Sequence, residues 1–85
     1  MHFTATAEYF TGTRYVHEVI AIKKRAGKIF VRRGTETDFV EATMYYNDPH
    51  LMFEFPDCRP TLRIFDHLNP PKPIREMFLD LGGKL

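Results

Sequence analysis

Six basic side chains fall within the twelve residues from Lys23 to Gly34, KKRAGKIFVRRG, and no acidic residue interrupts them. Lys and Arg gathered on one short segment bind anions, either nucleic-acid phosphates or the carboxylates of an acidic protein surface. Charges of one sign also keep an exposed strand ribbon from pairing with other strands. The segment therefore predicts either an anion-binding surface or the solvated tip of a hairpin.

Large side chains further along the chain extend this candidate surface. If residues 37–47 form a strand, Tyr45, Met52 and Phe65 point away from the predicted inner face. Tyr, Met and Phe are enriched at protein interfaces, and a second layer of core is the alternative. The residues predicted to bind a partner are Lys23, Lys24, Arg25, Lys28, Arg32, Arg33, Tyr45 and Met52.

The sequence carries no catalytic or metal-binding signature. The histidines are scattered, at His2, His17, His50 and His67. None belongs to an H-x-x-x-H or C-x-x-C arrangement for zinc. Asp48 lies near His50 and Asp66 adjoins His67, but an acid–base site needs a third group close by, and turns use the same residue types. We expect no enzyme activity, no cofactor and no metal.

A proline-rich segment, PPKPIR at residues 70–75, matches the P-x-x-P-x-[K/R] form of a polyproline ligand. The pattern is short, and prolines also stiffen connectors and begin helices. We favour the second interpretation, because packing of the following helix would hold the segment down.

Length and composition indicate one domain, residues 1–85, with a single small core. Cys58 is the only cysteine, so no internal disulfide can form, as suits a reducing compartment. The N-terminus has no signal-peptide pattern, and the longest apolar run, residues 19–22, is far too short to span a membrane. We expect a cytoplasmic protein without a membrane partner.

Charge is unevenly distributed along the chain. Residues 1–34 hold seven Lys/Arg against Glu8 and Glu18, a balance of +5, whereas residues 35–85 hold five Lys/Arg against nine Asp/Glu, a balance of −4. The basic segment either stays free or folds back on acidic residues such as Glu36, Asp38 and Glu41.

Residue patterns predict mostly strands. Alternating or β-branched runs predict strands over 2–10, 15–24, 28–33, 51–55 and 61–65. The apolar spacing of Ile74, Met77, Phe78 and Leu81 predicts one helix, with Gly82 at its C-cap. Residues 37–47 have helix-boundary signals at Thr37 and Pro49 but also period-two alternation, and we favour the strand.

The basic segment itself is predicted to be a hairpin. A three-residue loop, residues 25–27, with Gly27 left-handed would place Lys24 opposite Lys28. Apolar residues then lie on both faces of the ribbon, which is typical of a small barrel or a strongly coiled sheet. The expected class is α+β: a small, mostly antiparallel curved sheet or partial barrel of five to six strands with one C-terminal helix.

These features suggest a small binding module that docks on a protein with an acidic surface, through the basic hairpin and adjacent aromatics. Its size and charge suit an inhibitor or adaptor, as phages encode against host nucleic-acid-handling or defence proteins. The alternative is a nucleic-acid-binding domain that uses the same hairpin. A homodimer through an edge strand is a third hypothesis.

Overall fold

Six antiparallel strands close into a barrel in their sequence order, and one short helix follows them. The computed structural model describes residues 2–69 and 71–85, with the side chains of 65–69 outside that description. The elements are β1 His2–Phe10, β2 Tyr15–Arg25, β3 Lys28–Arg33, β4 Val40–Asn47, β5 His50–Glu54, β6 Leu62–Asn69 and α1 Ile74–Asp80. The α+β class, the antiparallel curved sheet and the C-terminal helix are confirmed. In the described ranges, no helix has the length and apolar character needed to cross a membrane.

Among the described side chains, alternating strand residues fill the interior of the barrel. In β1 the buried residues Phe3, Ala5 and Ala7 alternate with the polar positions His2, Thr4 and Thr6. Strand residues point to opposite faces in turn, so this alternation selects the side that faces the core. The core residues are Phe3, Ala5, Ala7, Ile20, Ile22, Ile29, Val31, Ala42, Leu51, Phe53, Leu62, Ile64, Met77, Phe78 and Leu81.

Closure of the barrel gives each strand two neighbours. β1 pairs with β2 on one side and with β6 on the other, which joins the two ends of the sheet. The hypothesis of a homodimer through an edge strand needs an unpaired strand, and the closed barrel offers none among its six strands. A dimer through another surface stays a prediction.

The ambiguous segment forms a strand over residues 40–47, so the helical alternative is wrong. Ala42 lies opposite Ile29 of β3, and Tyr46 lies opposite Leu51 of β5. Ala42, Leu51 and Ile29 are all buried, so the period-two pattern marks a core-facing strand side. The helix-like boundary residues are turn residues at the two ends of the strand.

The basic hairpin differs from its predicted register by one residue. Its loop has two residues, Ala26 and Gly27, with φ of 53° and 77°. Two successive left-handed residues are typical of the type I′ turn, whose twist matches that of paired strands. Arg25 therefore lies opposite Lys28, and Lys24 lies opposite Ile29. The predicted pairing of Lys24 with Lys28 is wrong.

The shift changes which residues share a face. Ile22 lies opposite Val31, and both are fully buried in the barrel. A one-residue slip moves a side chain to the other face of a ribbon, so the true register collects the aliphatic residues inside. The prediction that apolar residues lie on both faces of the β2–β3 ribbon is therefore wrong in part. One face carries the aliphatic residues, and the other carries charged residues and Phe30.

Ala26 is a non-glycine residue in the left-handed region, and it offers a direct test of the turn. An alanine there costs about 1–2 kcal/mol, whereas asparagine tolerates the conformation and Asn-Gly is the preferred type I′ pair. We expect Ala26→Asn to raise the free energy of unfolding by about 1 kcal/mol, measured by urea denaturation. Gly27→Ala, at φ 77°, should lower it. A loss of stability in Ala26→Asn would contradict the turn.

Helix α1 closes one end of the barrel. Met77, Phe78 and Leu81 are buried in the same core as the strands. After Leu81, Gly82 takes φ 93°. The Gly82 N–H donates to the Leu79 carbonyl at 3.0 Å and the Gly83 N–H to that of Phe78 at 2.9 Å, which is a Schellman motif. The predicted helix and its glycine cap are confirmed.

Tyr46 ties the β4–β5 hairpin to the helix. Its ring stacks on Phe78 with centroids 4.9 Å apart, and its hydroxyl donates a hydrogen bond to Asp48 Oδ1 at 2.6 Å. The hydrogen bond to the Asp48 carboxylate raises the pKa of Tyr46 above its ordinary value of 10.0. The phenol therefore stays neutral and keeps its hydrogen bond up to that pH.

The proline-rich segment before α1 is held against the body of the protein. Lys72 forms an ion pair with Asp80, and its ammonium lies 5.2 Å from the centroid of the Phe3 ring. A polyproline ligand needs its prolines free to enter a groove, and Lys72 lies between Pro71 and Pro73. Pro70 lies outside the described residues, but the contacts of Lys72 favour the connector interpretation.

Candidate functional site

Four of the six hairpin cations share the outer face of the β2–β3 ribbon. Arg25 lies opposite Lys28, Lys23 opposite Phe30, and Ala21 opposite Arg32. Directly paired residues of antiparallel strands point the same way, and the alternate residues Ile22 and Ile29 fill the core. The ribbon therefore presents Lys23, Arg25, Lys28 and Arg32 together.

Two phenylalanine rings support these cations. The Lys23 ammonium lies 4.0 Å from the centroid of the Phe39 ring and 6.0 Å from that of Phe30, and the Arg32 guanidinium lies 5.3 Å from Phe39. Cations over ring faces are attracted by the ring quadrupole, which orders the long side chains. We call the surface of Lys23, Arg25, Lys28, Arg32, Phe30 and Phe39 the basic face.

Phe39 was missed by the sequence prediction. It stands just before β4, in a stretch that is otherwise polar from Thr35 to Asp38. An isolated large apolar residue in a polar loop is the available signal, because such a ring needs something to cover. Here it is half-buried beneath Lys23 and Arg32.

The other two hairpin cations serve the barrel itself. Arg33 Nε donates to Glu18 Oε1 at 2.7 Å, and its guanidinium lies 4.5 Å from the Tyr9 ring centroid. With 12% of its side chain exposed, Arg33 is the least accessible of the ion-paired cations described. The Lys24 ammonium lies beside Gly82, at the C-terminal end of α1, where the helix dipole favours a cation. The predicted binding role of Lys24 and Arg33 gains no support from these positions.

Acidic residues neutralise the basic face only in part. Glu41 lies 3.7 Å from Lys28, with more than half of each side chain exposed. Asp38 lines a depression of about 440 Å³ together with Lys23 and Arg25, while Glu36 pairs with Arg59 at 3.2 Å. Among the described side chains, those of residues 2–64 and 71–85, no ion pair includes Lys23, Arg25 or Arg32.

Tyr45 and Met52 lie on a second surface, separate from the basic face. They are paired across β4 and β5, and the pairing continues from Met52 to Arg63, from Arg63 to Glu8 and from Glu8 to His17. A groove of about 430 Å³ runs along this row. Its lining residues are Glu8, Tyr9, Phe10, Tyr15, Tyr45, Asn47, His50, Met52, Thr61 and Arg63, a set that we call the aromatic groove.

A buried carboxylate lies in the aromatic groove. The Glu8 side chain is 7% exposed and forms an ion pair with Arg63, while His17 Nε2 lies 3.4 Å from Glu8 Oε2. Arg63 is 37% exposed, so its guanidinium spans from the carboxylate to the surface. Burial of a charge is tolerated only when it is paired, which the register of β6 against β1 provides here.

Aromatic rings border the same groove. Phe10 and Tyr15 are paired across the β1–β2 hairpin, with centroids 5.1 Å apart, and Tyr45 stands on the far side. Burial raises the pKa of Tyr45, and the nearby Glu54 carboxylate adds to the effect. The Tyr45 hydroxyl is therefore a neutral hydrogen-bonding group at physiological pH.

Asp48 and His50, which the sequence places at one turn, have different surroundings in the structure. Asp48 accepts a hydrogen bond from Tyr46, and His50 lines the aromatic groove. The side chains of Phe65, Asp66 and His67 lie outside the described residues. Among those described, no cluster of three His, Cys, Asp or Glu has the geometry of a metal site.

The fold and its surfaces define the chain as a small α+β barrel with a basic face and an aromatic groove. Comparison with known family models, curated proteins and solved structures gave no match. Its function therefore has to be argued from these two surfaces.

Proposed function

We propose that the protein is a small binding module that docks on the acidic surface of a partner protein through the basic face. The observation that carries the proposal is the grouping of Lys23, Arg25 and Arg32 on one face, without an ion-pair partner in the described residues. Lys23 and Arg32 lie over the rings of Phe30 and Phe39. Such a face is complementary to a partner surface on which carboxylates surround an apolar centre, because the carboxylates would pair with the cations and the apolar centre would contact the rings.

The cost of this arrangement favours a binding role. Arg25 and Lys28 are directly opposed, and like charges paired across strands destabilise a sheet by about 0.2–1 kcal/mol. The contact between Arg25 and Lys28 does not stabilise the fold. Glu41 offsets the charge of Lys28 only weakly, because the two groups are 3.7 Å apart and both are exposed to solvent. An acidic partner would neutralise the remaining charges.

The distribution of acidic groups favours a protein over nucleic acid. Asp38 and Glu41 interrupt the basic face, and the net charge of the chain is only +1. A phosphate backbone is a continuous run of negative charge and would meet both carboxylates. The alternative, a nucleic-acid-binding domain, is supported by the alternation of cations with rings, which is typical of single-strand binders.

The small size of the protein and its exposed basic face suggest how it acts. An 85-residue domain docked through this face could cover the partner's own ligand site, so we propose an inhibitor or an adaptor. A viral or phage origin, with a host nucleic-acid-handling or defence protein as the target, and a cytoplasmic location are further parts of this hypothesis.

Charge reversal tests the proposal. The triple variant Lys23→Glu/Arg25→Glu/Arg32→Glu changes three cations without disturbing the internal contacts of Lys24 and Arg33. We expect its affinity for a fluorescein-labelled, Asp/Glu-rich peptide to fall at least about tenfold, measured by anisotropy at low and physiological salt. Far-UV circular dichroism should show the native fold.

A matched control separates location from net charge. The variant Arg14→Glu/Arg75→Glu/Lys84→Glu makes the same charge change at exposed positions outside the basic face. It should keep most of the affinity, and an equal loss in both variants would overturn the assignment to the basic face. Mixed-sequence DNA and RNA form the second arm. Tighter binding there, with log K falling by about 0.9 per phosphate against log salt, would establish the nucleic-acid alternative instead.

A further inference from the structure

The aromatic groove contains three rings that no described cation covers, those of Phe10, Tyr15 and Tyr45, while Arg33 lies over its fourth ring, Tyr9. Outside the groove, cations lie over the rings of Phe3, Phe30, Phe39 and Phe55. Within the described residues, no lysine or arginine lies over Phe10, Tyr15 or Tyr45. These three side chains are 50%, 64% and 39% exposed.

The shape of the groove suits an extended ligand. The row from Tyr45 through Met52, Arg63 and Glu8 to His17 crosses five strands. Four strand spacings of about 4.8 Å give a path of about 19 Å, measured along the curved outer face of the barrel. An extended peptide covers that distance with about six residues. The volume of about 430 Å³ lies within the range of ligand sites.

The charge of the groove selects the chemistry of the ligand. The Arg63 guanidinium is neutralised by Glu8, and Glu54 places a second carboxylate beside Tyr45. Phosphate gains nothing from such a surface, which disfavours a nucleotide chain. What the groove offers is ring faces, the Met52 thioether and scattered hydrogen-bonding groups.

We infer that the aromatic groove binds an uncharged, extended protein segment through two aromatic side chains. One ring packs between Tyr45 and Met52, the other packs on the Phe10–Tyr15 pair, and the segment crosses the Glu8–Arg63 ion pair between them. Tyr and Arg are common anchors of protein interfaces, and edge-to-face or offset ring pairs add affinity beyond area. This inference rests on the proposed function in one respect, that it assigns the segment to the same partner protein.

A synthetic peptide of about six uncharged residues, with tryptophan at each end, tests the site. The protein contains no tryptophan, so the emission of the peptide reports its binding directly. We expect a saturable change in emission, and ¹⁵N–¹H spectra of the protein should show shifts along the groove. Replacement of either tryptophan by serine should weaken binding at least about tenfold.

Matched protein variants locate the contact. Tyr45→Thr should weaken peptide binding at least about tenfold, while Tyr45→Phe, which keeps the ring, and Val19→Thr, an exposed site outside the groove, should leave it nearly unchanged. Equal binding by Tyr45→Thr and the native protein would overturn the inference, as would the absence of saturable binding.

Two further arms identify the occupant and separate this inference from the proposed function. Adenosine that binds along the groove more tightly than the peptide would assign the site to nucleobases and overturn the peptide. The triple charge-reversal variant should bind the tryptophan peptide normally. Loss of acidic-peptide binding alone therefore reports on the basic face, and loss of tryptophan-peptide binding alone reports on the groove.

Discussion

Replacement of Phe53 by alanine is expected to lower the free energy of unfolding by about 3–5 kcal/mol. The Phe53 ring is fully buried inside the barrel, where its strand neighbours are Met44 of β4 and Leu62 of β6. Removal of the ring loses its transfer free energy and leaves a cavity that a closed barrel can only partly collapse. A domain of this size has about 5–10 kcal/mol in total, so the variant should lose about a third of its stability or more. Urea denaturation followed by circular dichroism measures the change.

Phe55 provides the matched control. It lies just beyond β5, is half-buried, and its ring centroid lies 5.8 Å from the Arg59 guanidinium. Phe55→Ala removes the same atoms from a position that solvent already reaches, so about 1 kcal/mol is expected. Equal losses in the two variants would mean that Phe53 does not occupy a closed core.

Local sequence patterns were sufficient for most elements of this fold. Period-two alternation located β1, and the spacing from Ile74 to Leu81 located α1, because each pattern reflects which side of an element faces the core. Gly82 marked the end of the helix because its positive φ suits a residue without a Cβ. Segment 40–47 was resolved by pairing on both sides, a tertiary effect that local boundary signals do not contain.

Strand register was beyond the reach of local patterns. The predicted hairpin gave the left-handed conformation to Gly27 alone, since alanine rarely adopts it, whereas Ala26 adopts it too. β6 runs to Asn69 through polar residues because β1 supplies the partner backbone, with a register shift between Ala5 and Ala7. Such features depend on how the whole sheet twists and closes.

The same limit governed the candidate site. The cluster of charges in residues 23–34 was visible in the sequence, but which cations face outward depends on the turn, and Lys24 and Arg33 proved to serve the barrel. Tyr45 and Met52 were identified as outward residues. Their neighbours Glu8 and Arg63 were not, because residues 55 positions apart meet only through the closure of β1 on β6.

Arg63→Met should destabilise the protein by about 2–4 kcal/mol at neutral pH, although the arginine is partly exposed. The reason lies in its partner, because Glu8, with 7% of its side chain exposed, would keep a buried negative charge, with His17 as its remaining partner among the described side chains. Methionine preserves most of the volume and the apolar stem, so the change isolates the charge. The expected value lies below that of a fully buried pair, since solvent screens the outer part of the guanidinium.

The double variant Glu8→Leu/Arg63→Met shows whether the ion pair or the unpaired charge is responsible. Replacing a buried ion pair with apolar residues is often neutral, so we expect the double variant to recover at least half of the stability that Arg63→Met loses, in parallel urea denaturation experiments. Glu8→Leu alone should cost less than Arg63→Met, because the Arg63 side chain is 37% exposed and stays solvated, whereas the Glu8 carboxylate is buried. Additive losses in the two single variants would show that the groove is not organised around this pair. Recovery in the double variant would show that the stability of the protein does not require the Glu8–Arg63 ion pair. The role left to the pair is then to position Arg63 between the two aromatic ends of the groove.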